Sequence, residues 1–332
     1  MRLTKDLIII GAGPGGMSSA MYAGRAQMDV LVIEREGLAG GQMLNTSEID
    51  NYLGSSSTNP FELADEMFSQ ANRFDNVEFL FNTTVAKVHK SNKHDLSSGL
   101  YVVDTGDGKQ YLTKSVIIAS GTKHRELSVN GEGYNHDNTN NVSYCATCDF
   151  PFYKDKRVAV IGGGDSAFEA AQLLSEVADS VDLIHYRDTF KAKPGLQEQI
   201  YRNNKIKIIT GHEFKNANIS NGSIKYVSLK IKGQDGTRYH APREYDGVFP
   251  NIGIIPNSTF LMSATNEEGF ITVLHDLRVY SDYHQYCNED MSGIWAIGDV
   301  TDNKHRQVSI AAGQGAQAAL SAYEYVKENN MI

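Results

Sequence analysis

The sequence predicts an α/β protein that contains two Rossmann-like dinucleotide-binding domains. The main observation is a pattern that occurs twice: a buried strand, a glycine-rich turn, a helix and a second strand, first around Gly11–Gly16 and again around Gly162–Ala167. Nothing repeats at a period of about 20–50 residues, so this one large repetition indicates two nucleotide-binding units. The length of 332 residues agrees with two domains of about 150 residues each.

The first unit runs from a predicted strand at Leu7–Ile10 to a second strand at Val30–Ile33. In Gly11–Gly16 the first glycine permits a tight turn, the second lets a pyrophosphate approach the backbone, and the third allows close helix–strand packing. The helix that follows directs its N-terminus at the phosphates. Glu34 ends the second strand, where a carboxylate accepts hydrogen bonds from ribose hydroxyls. The alternative is a glycine-rich turn with a purely structural role.

Between the two units the pattern changes to one helix followed by short extended runs. Two polar segments, Ser91–Gly99 and Gly131–Asn141, are predicted loops, and the second is a candidate domain boundary. The predicted helices are Gly15–Ala26, Pro60–Asn72, Asp165–Val177 and Val308–Glu328, and the predicted strands outside the first unit are Val77–Phe81, Thr84–Val88, Leu100–Val103, Gln110–Leu112, Val116–Ala119, Arg157–Ile161, Val181–His185, Ser223–Ile231 and Ile294–Ile297.

The second unit has the GxGxxA form at Gly162–Ala167, again between a strand and a helix. Its second strand does not end in a carboxylate but in His185-Tyr186-Arg187, with Lys191 four residues further on. Cationic groups at this position favour the 2′-phosphate of NADPH over a bare ribose. Two alternatives stay open: a solvated basic turn that binds no cofactor, and Asp188 as the partner of NADH.

Cys145 and Cys148 place two thiols within one turn. This spacing permits a local disulfide and lowers one thiol pKa from about 8.5 toward about 7, so that a thiolate attacks flavin or another disulfide. Asp149 is a nearby carboxylate for proton transfer. Half of a zinc site is the alternative, but it needs two more ligands, and Cys287 is better explained as a passive thiol. Because Cys148 lies at most about 28 Å from Lys156, the pair is expected to travel with the second nucleotide domain.

Composition excludes several classes of protein. The net charge of −9 and the pI near 5.6 argue against nucleic acid and anionic membranes as partners. Three cysteines form no disulfide framework, which favours a reducing compartment and a cytoplasmic location. No apolar run approaches the ~18 residues of a membrane span, and the first residues do not match a secretory signal.

Taken in order, these motifs resemble those of bacterial-type, low-molecular-weight thioredoxin reductases over nearly the whole chain. The Cys-Ala-Thr-Cys-Asp block together with Gly-Asp…Arg-Gln is highly specific. The matching segments are Gly11–Gly16, Gly40–Gln42 with Glu48 and Asn51, Ala119–Thr122, Cys145–Asp149, Gly162–Ala167, Gly253 with Pro256-Asn257, and Gly298–Val300 with Arg306-Gln307.

The resemblance implies three-layer ββα domains, with residues 1–124 and 253–332 binding FAD and residues 125–252, which carry the CxxC dithiol, inserted between them to bind NADPH or NADH. It also implies a homodimer in which the inserted domain rotates, with thioredoxin or a thioredoxin-like protein as partner and Cys148 as the sulfur nearest the flavin. The implied FAD residues are Gly11, Gly13, Pro14, Gly16, Glu34, Gly41, Gln42, Asn51, Val85, Gly121, Asp299, Arg306, Gln307 and Val308. The implied NAD(P) residues are Gly162, Gly164, Asp165, Ser166, His185, Arg187 and Lys191, and the implied catalytic residues are Cys145, Cys148 and Asp149.

Several positions depart from the family pattern. Tyr186 and Lys191 stand where the family has arginine, so we expect a reduced preference for NADPH over NADH. Phe150-Pro151 replaces the glycine that follows the redox motif, and Asp276–Asp290 also differs, which raises ferredoxin as an alternative electron donor. The same residues are compatible with a dithiol oxidase that uses oxygen, with a peroxidase-reducing partner, and with a flavin-binding redox sensor without enzymatic activity.

Overall fold

The computed structural model describes residues 4–45, 49, 51–56, 59–91, 99–125, 127, 141–220, 223–231, 243–280, 291–303 and 305–329. The chain forms two compact units, Met1–Lys123 with Ile255–Ile332 and His124–Ile254. The predicted limits of the cofactor domains, after residue 124 and before residue 253, remain a prediction, because these units are defined by packing and not by a bound cofactor. Among the described residues no helix is long and apolar enough to cross a membrane.

The first unit is built on one large sheet flanked by helices. Its elements are β1 Lys5–Ile10, α1 Pro14–Arg25, β2 Val30–Ile33, α2 Pro60–Asn72, β3 Val77–Leu80, β4 Val85–Lys90, β5 Tyr101–Thr105, β6 Gln110–Ile118, β16 Ile294–Ala296 and α6 Val308–Glu328. The strand order is β3-β2-β1-β6-β5-β4, with β16 also paired to β6. The strands β1, β2, β3, β6 and β16 run parallel, and β4 and β5 are antiparallel additions.

Strand β1 is buried on both faces, which explains its continuous apolar run. Leu7 and Ile9 pack into one hydrophobic cluster with residues of α1, α2 and α6, while Ile8 and Ile10 pack into a second cluster on the opposite face. Helices α1 and α6 cross closely because small residues meet there. A Cβ on Gly315 would lie 2.3 Å from the carbonyl oxygen of Gly15. This contact fixes the start of α1 against the C-terminal helix.

The sequence predicted two strands, Gln110–Leu112 and Val116–Ala119, where the structure has the single strand β6. The polar residues between the two segments suggested a break. Thr113 and Ser115 are buried and satisfied instead, because the Thr113 hydroxyl donates to the Ser115 carbonyl at 2.8 Å and the Ser115 hydroxyl donates to the Asp6 carbonyl at 2.7 Å.

The second unit contains two sheets. The elements are α3 Ala146–Asp149, β8 Arg157–Ile161, α4 Asp165–Val177, β9 Ser180–Ile184, α5 Pro194–Arg202, β10 Ile206–Ile209, β11 His212–Ser220, β12 Ser223–Ile231, β13 Arg243–Glu244 and β14 Gly247–Pro250, and the short strands β7 Thr122–His124 and β15 Ile254–Pro256 lie where the chain passes between units. One sheet is parallel in the order β10-β9-β8-β14, and the other is antiparallel in the order β11-β12-β13. Together with the sheet of the first unit, they confirm the predicted α/β class with two Rossmann-like folds. The sequence did not predict α5.

A buried carboxylate joins the two sheets of this unit. Asp182 on β9 accepts a hydrogen bond from the Arg243 guanidinium at 2.7 Å and another from the Tyr245 hydroxyl at 2.7 Å. Burial is the main reason that the pKa of the Tyr245 phenol is raised, and the neighbouring Asp182 charge adds to it. The phenol therefore stays protonated and acts as a donor.

Candidate functional site

The first glycine-rich turn lies at the carboxyl end of β1, between the ends of β2 and β6. Gly11 has φ +104°, and a Cβ there would lie 2.4 Å from the Ala119 carbonyl oxygen. A Cβ on Gly16 would lie 1.9 Å from the Gly11 carbonyl oxygen, so both positions exclude a side chain. A Cβ on Gly13, by contrast, would meet no described atom within 4 Å. The open side of Gly13 leaves the backbone accessible to a phosphate.

Glu34 closes one side of this turn. Its carboxylate is buried and accepts hydrogen bonds from the Ala12 N–H at 2.7 Å and the Glu36 N–H at 2.9 Å. The Glu34 carbonyl accepts from the Thr83 N–H at 2.9 Å, which brings the start of β4, and with it the buried Val85, to the same end of the sheet. The predicted ribose-binding carboxylate is thus held in place by backbone donors.

The second predicted FAD segment lies beside the turn. Gly41 has φ +60°, and a Cβ there would lie 3.3 Å from the Gly13 Cα, so the two backbones are in near contact. The Gln42 amide donates to both oxygens of Thr122, at 2.6 Å to the carbonyl and 3.0 Å to the hydroxyl. Next to Thr122, Gly121 has φ +62° and open space at its Cβ position.

The C-terminal part of the first unit contributes Asp299 after β16. Burial raises the pKa of this carboxyl, and the charge of Arg306 opposes the rise. The Arg306 guanidinium lies 5.2 Å from the centre of the Phe270 ring, and its buried Nε has no hydrogen-bond partner among the described atoms. The Asn51 amide donates to the Gln307 side chain at 3.0 Å. These polar groups therefore lie near the start of α6, whose first residue is Val308.

The residues of the first unit fit a dinucleotide. Pro14 opens α1, and the preceding Gly13 gives this helix no side-chain cap, so its N-terminal donors are open to an anion. A Cβ on Gly15 would lie 3.1 Å from the Ile297 side chain and 3.2 Å from the Ala311 carbonyl, which places the helix start beside β16 and α6. The unpartnered Arg306 Nε is a further donor that a ligand can satisfy.

The second glycine-rich turn has the same geometry. Gly162 has φ +153°, and a Cβ there would lie 2.3 Å from the Asn251 carbonyl oxygen. A Cβ on Gly164 would meet nothing within 4 Å, and no side chain caps α4 at this residue. The exposed Ser166 lies in the first turn of α4. The turn is therefore open to a phosphate, as the sequence predicts for NAD(P).

His185 is buried, unlike Arg187 and Lys191, the two other predicted cations of this site. A Cβ on Gly163 would lie 2.4 Å from its imidazole, and the ring stacks on Phe190 with 5.4 Å between centroids. His185 is therefore packed inside the turn. Arg187 and Lys191 are exposed, and the Lys191 N–H donates to the Gly163 carbonyl at 2.8 Å. The two exposed cations thus belong to a loop fixed against the second turn.

Lys193 is a residue that sequence reasoning missed. Its backbone N–H donates to the Asp165 carboxylate at 2.8 Å, and its ammonium lies 3.1 Å from the other carboxylate oxygen. These bonds lower the pKa of Asp165. Lys193 therefore offsets a negative charge in the first turn of α4, where a cofactor phosphate would be repelled.

The redox segment lies in the second unit. Cys145 is disulfide-bonded and precedes the short helix α3, which ends at Asp149. The Cys145 N–H donates to the Ser143 hydroxyl at 3.2 Å, and this hydroxyl donates to the Asp149 carboxylate at 2.6 Å. Ser143 was also missed, although a serine two residues before a cysteine that starts a helix is a common turn pattern. The side chain of Cys148 and all of Cys287 lie outside the described residues.

Comparisons with known proteins agree with this arrangement. The model of the family described as pyridine nucleotide-disulphide oxidoreductase matches residues 5–315. A thioredoxin reductase of Listeria innocua is 36% identical over 326 residues, 97% of this chain and 94% of the relative, and one of Bacillus subtilis is 35% identical over 97% and 95%. The crystal structure of thioredoxin reductase from Streptococcus pyogenes is 34% identical, with a TM-score of 0.77 over 99% of this chain and 100% of that chain.

Proposed function

Because this chain belongs to the bacterial-type thioredoxin reductase family of pyridine nucleotide-disulphide oxidoreductases, we propose that it reduces the disulfide of a thioredoxin-like protein with electrons from NAD(P)H. The observation that carries the proposal is the disulfide-bonded Cys145 at the start of α3, in the same unit as the second nucleotide turn. A bound FAD would supply the two-electron link between the nicotinamide and the sulfur pair.

The first unit offers the residues to hold FAD. The turn around Gly13 would bind the pyrophosphate of FAD, and Glu34 would accept hydrogen bonds from a ribose. Asp299 and Arg306 would bind polar groups of FAD that lie further from this ribose. In the second unit the turn around Gly164 would accept the pyrophosphate of NAD(P)H. Backbone access and an uncapped helix N-terminus in each unit support these assignments, and in the first unit the unpartnered Arg306 Nε supports them as well.

The sulfur chemistry balances as a dithiol–disulfide exchange. In the reduced protein one thiolate of the Cys145–Cys148 pair attacks a sulfur of the partner disulfide, and a mixed disulfide forms as the partner's other sulfur leaves. The second thiol then attacks the mixed disulfide, which restores the intramolecular bond. Two electrons and the two thiol protons have passed to the partner. Asp149, four residues after Cys145 at the end of α3, would hold one of these protons during the exchange.

An exposed aromatic residue follows the redox helix. Phe152 lies in the 3-10 turn Phe150–Tyr153, directly after this helix, and is 65% exposed. Because aromatic residues are frequent anchors of protein interfaces, we propose that Phe152 contacts the disulfide-bearing partner. We therefore expect Phe152→Ala to raise KM for a bacterial thioredoxin about tenfold, while flavin reduction by NAD(P)H keeps its rate.

We propose that the electron donor is a reduced nicotinamide nucleotide and that the preference for NADPH over NADH is reduced. Arg187 and Lys191 are exposed cations for a 2′-phosphate, and Tyr186 supplies a ring 4.9 Å from the Arg187 guanidinium in place of a further cation. We expect both NADPH and NADH to reduce the flavin. Anaerobic titration of the purified protein with NADPH, NADH and reduced ferredoxin tests this, and flavin reduction by ferredoxin alone would overturn the nicotinamide assignment.

Two further features belong to the proposal. We propose a homodimer, supported by the family resemblance, and light scattering of the purified protein tests it. We also propose a cytoplasmic location, supported by a cysteine content that contains one vicinal pair and no disulfide framework.

The central test replaces one sulfur of the pair. Cys148→Ser should abolish reduction of thioredoxin while leaving a yellow, folded protein whose flavin is still reduced by NAD(P)H. Cys287→Ser is the matched control and should retain turnover. Persistent thioredoxin turnover in Cys148→Ser would refute the dithiol mechanism. A protein that remains colourless after FAD is supplied would refute the flavin assignment.

A further inference from the structure

The hydroxyl of Ser143 connects the two functional groups of the redox segment. It accepts a hydrogen bond from the Cys145 N–H at 3.2 Å and donates one to an Asp149 carboxylate oxygen at 2.6 Å. The same hydroxyl oxygen lies 3.3 Å from the Cys145 carbonyl oxygen. A hydroxyl has one proton, and the shorter distance assigns that proton to the carboxylate.

The backbone holds Ser143 firmly in place. Its N–H donates to the Val248 carbonyl on β14 at 2.9 Å, and the Val248 N–H donates to the Asn141 carbonyl at 2.8 Å. The buried Asn141 side chain binds both backbone groups of Ile224 on β12, at 2.7 Å and 2.8 Å. Ser143 is 6% exposed. Its hydroxyl therefore has a fixed position relative to the central sheet of the unit.

We propose that Ser143 is a positioning residue that holds the Asp149 carboxylate beside the Cys145 backbone for proton transfer during dithiol–disulfide exchange. The inference rests on the proposed function. In the exchange, the sulfur that leaves as a thiolate takes up a proton, and Asp149 relays this proton and returns to its starting state. A hydroxyl that donates to the carboxylate fixes the position of the oxygen that binds it, at 2.6 Å.

Other ionisable groups lie on the elements that pack against α3. The 3-10 turn supplies Tyr153, whose pKa is raised to about 12 by burial first and by the charge of Asp149 second. Next to Cys145, the ring of Tyr144 stacks on His124 with 4.7 Å between centroids. Ser143 is the group that binds the Asp149 carboxylate directly, at 2.6 Å. Helix α4 carries three further carboxylates, those of Asp165, Glu169 and Glu176.

The test compares variants that differ in the hydroxyl alone. Ser143→Ala removes the hydroxyl. Ser143→Thr and Ser143→Val introduce side chains of the same shape, of which only threonine carries a hydroxyl. Ser175→Ala is the control, because Ser175 is an equally buried serine of the same unit that binds the Gln172 carbonyl. The measured quantities are kcat and KM for reduction of a bacterial thioredoxin, with flavin content and Tm recorded for each variant.

Ser143→Ala and Ser143→Val should lower kcat about tenfold and leave KM unchanged, because a hydrogen bond to a charged group is worth about a factor of ten or more. The threonine variant should retain the wild-type kcat, and so should the Ser175 variant. In an Asp149→Asn background the Ser143→Ala effect should vanish. An unchanged kcat in both hydroxyl-free variants, or an undiminished effect in the Asp149→Asn background, would overturn the proposal.

A second assay separates this proposal from the proposed function. Dithiothreitol reduces the Cys145 disulfide without thioredoxin, and trapping of the Cys145 thiol followed by mass spectrometry gives the rate of reduction. A similar decrease of this rate in Ser143→Ala, with rescue in Ser143→Thr, is expected. If the wild-type protein fails to reduce thioredoxin, the proposed function is wrong and this assay still decides the role of Ser143. If wild type reduces thioredoxin and both rates are unchanged in Ser143→Ala, only the Ser143 proposal fails.

Discussion

Replacement of Tyr186 by arginine should restore a strong preference for NADPH. Tyr186 is 38% exposed in the loop after β9, and the Arg187 guanidinium lies 4.9 Å from its ring centre. A new guanidinium adds a charge-assisted hydrogen bond to the 2′-phosphate, worth about 1.5–3 kcal/mol. The substitution also removes an exposed cation–π contact, but this loss affects both nucleotides alike and cancels in their ratio. The gain of about 1.5–3 kcal/mol therefore corresponds to about a 10- to 150-fold rise in the NADPH/NADH ratio of kcat/KM.

The assay is anaerobic stopped-flow reduction of the flavin at increasing concentrations of each nucleotide. Tyr201→Arg is the matched control, because Tyr201 is an exposed tyrosine on α5 of the same unit and the change adds the same charge. The ratio should rise for Tyr186→Arg alone and should fall with added salt. An unchanged ratio, or an equal rise in Tyr201→Arg, would show that the loop after β9 does not contact the 2′-phosphate.

Four further substitutions separate packing from ligand binding. Gly13→Ala should keep the wild-type Tm in the apoprotein and weaken FAD binding about tenfold or more. Gly16→Ala, whose Cβ would lie 1.9 Å from a carbonyl oxygen, should instead lower stability by about 1–3 kcal/mol or more, and FAD titration and thermal melts distinguish the two variants. Asp182→Ala should destabilise the second unit by about 3–5 kcal/mol in urea unfolding, because it leaves a buried phenol and a guanidinium without their acceptor. Asp299→Asn should raise the Tm of the apoprotein at pH 8 and not at pH 3, because a carboxyl with a raised pKa contributes stability at low pH that is lost as the pH rises through that pKa, and the variant should bind FAD more weakly.

Elements with strong local signals could be predicted from the sequence at their observed limits. Helices α4 and α6 are examples, at Asp165–Val177 and Val308–Glu328. The continuous strand β6 could not, because its polar centre is satisfied by contacts with a strand about a hundred residues earlier. Helix α5 was missed because its nine residues bury Ile200 alone, which leaves almost no apolar periodicity to detect.

The residues of the candidate site likewise include some that could be predicted from the sequence and some that could not. The glycine turns and the vicinal cysteines could be predicted because their chemistry depends on neighbours within a few residues. The contacts of Ser143 and Lys193 could not, because each requires the chain to turn back on itself: six residues separate Ser143 from Asp149, and 28 separate Lys193 from Asp165. The burial of His185 was also beyond the sequence, since it results from the absence of a side chain at a glycine on another strand end.

The two glycine-rich turns show how one fold unit serves two cofactors. A Cβ on Gly11 would lie 2.4 Å, and a Cβ on Gly162 would lie 2.3 Å, from the carbonyl oxygen that follows the neighbouring parallel strand. Packing therefore demands glycine at both positions, whatever ligand binds. The next strand end differs, because Glu34 is a buried carboxylate in the first unit and Arg187 is an exposed cation in the second. A change at either glycine should therefore damage the folding of its own unit, whereas a change at the exposed Arg187 should alter nucleotide affinity without altering the fold. A change at the buried Glu34 should affect both, because its carboxylate also accepts from the Ala12 and Glu36 N–H groups.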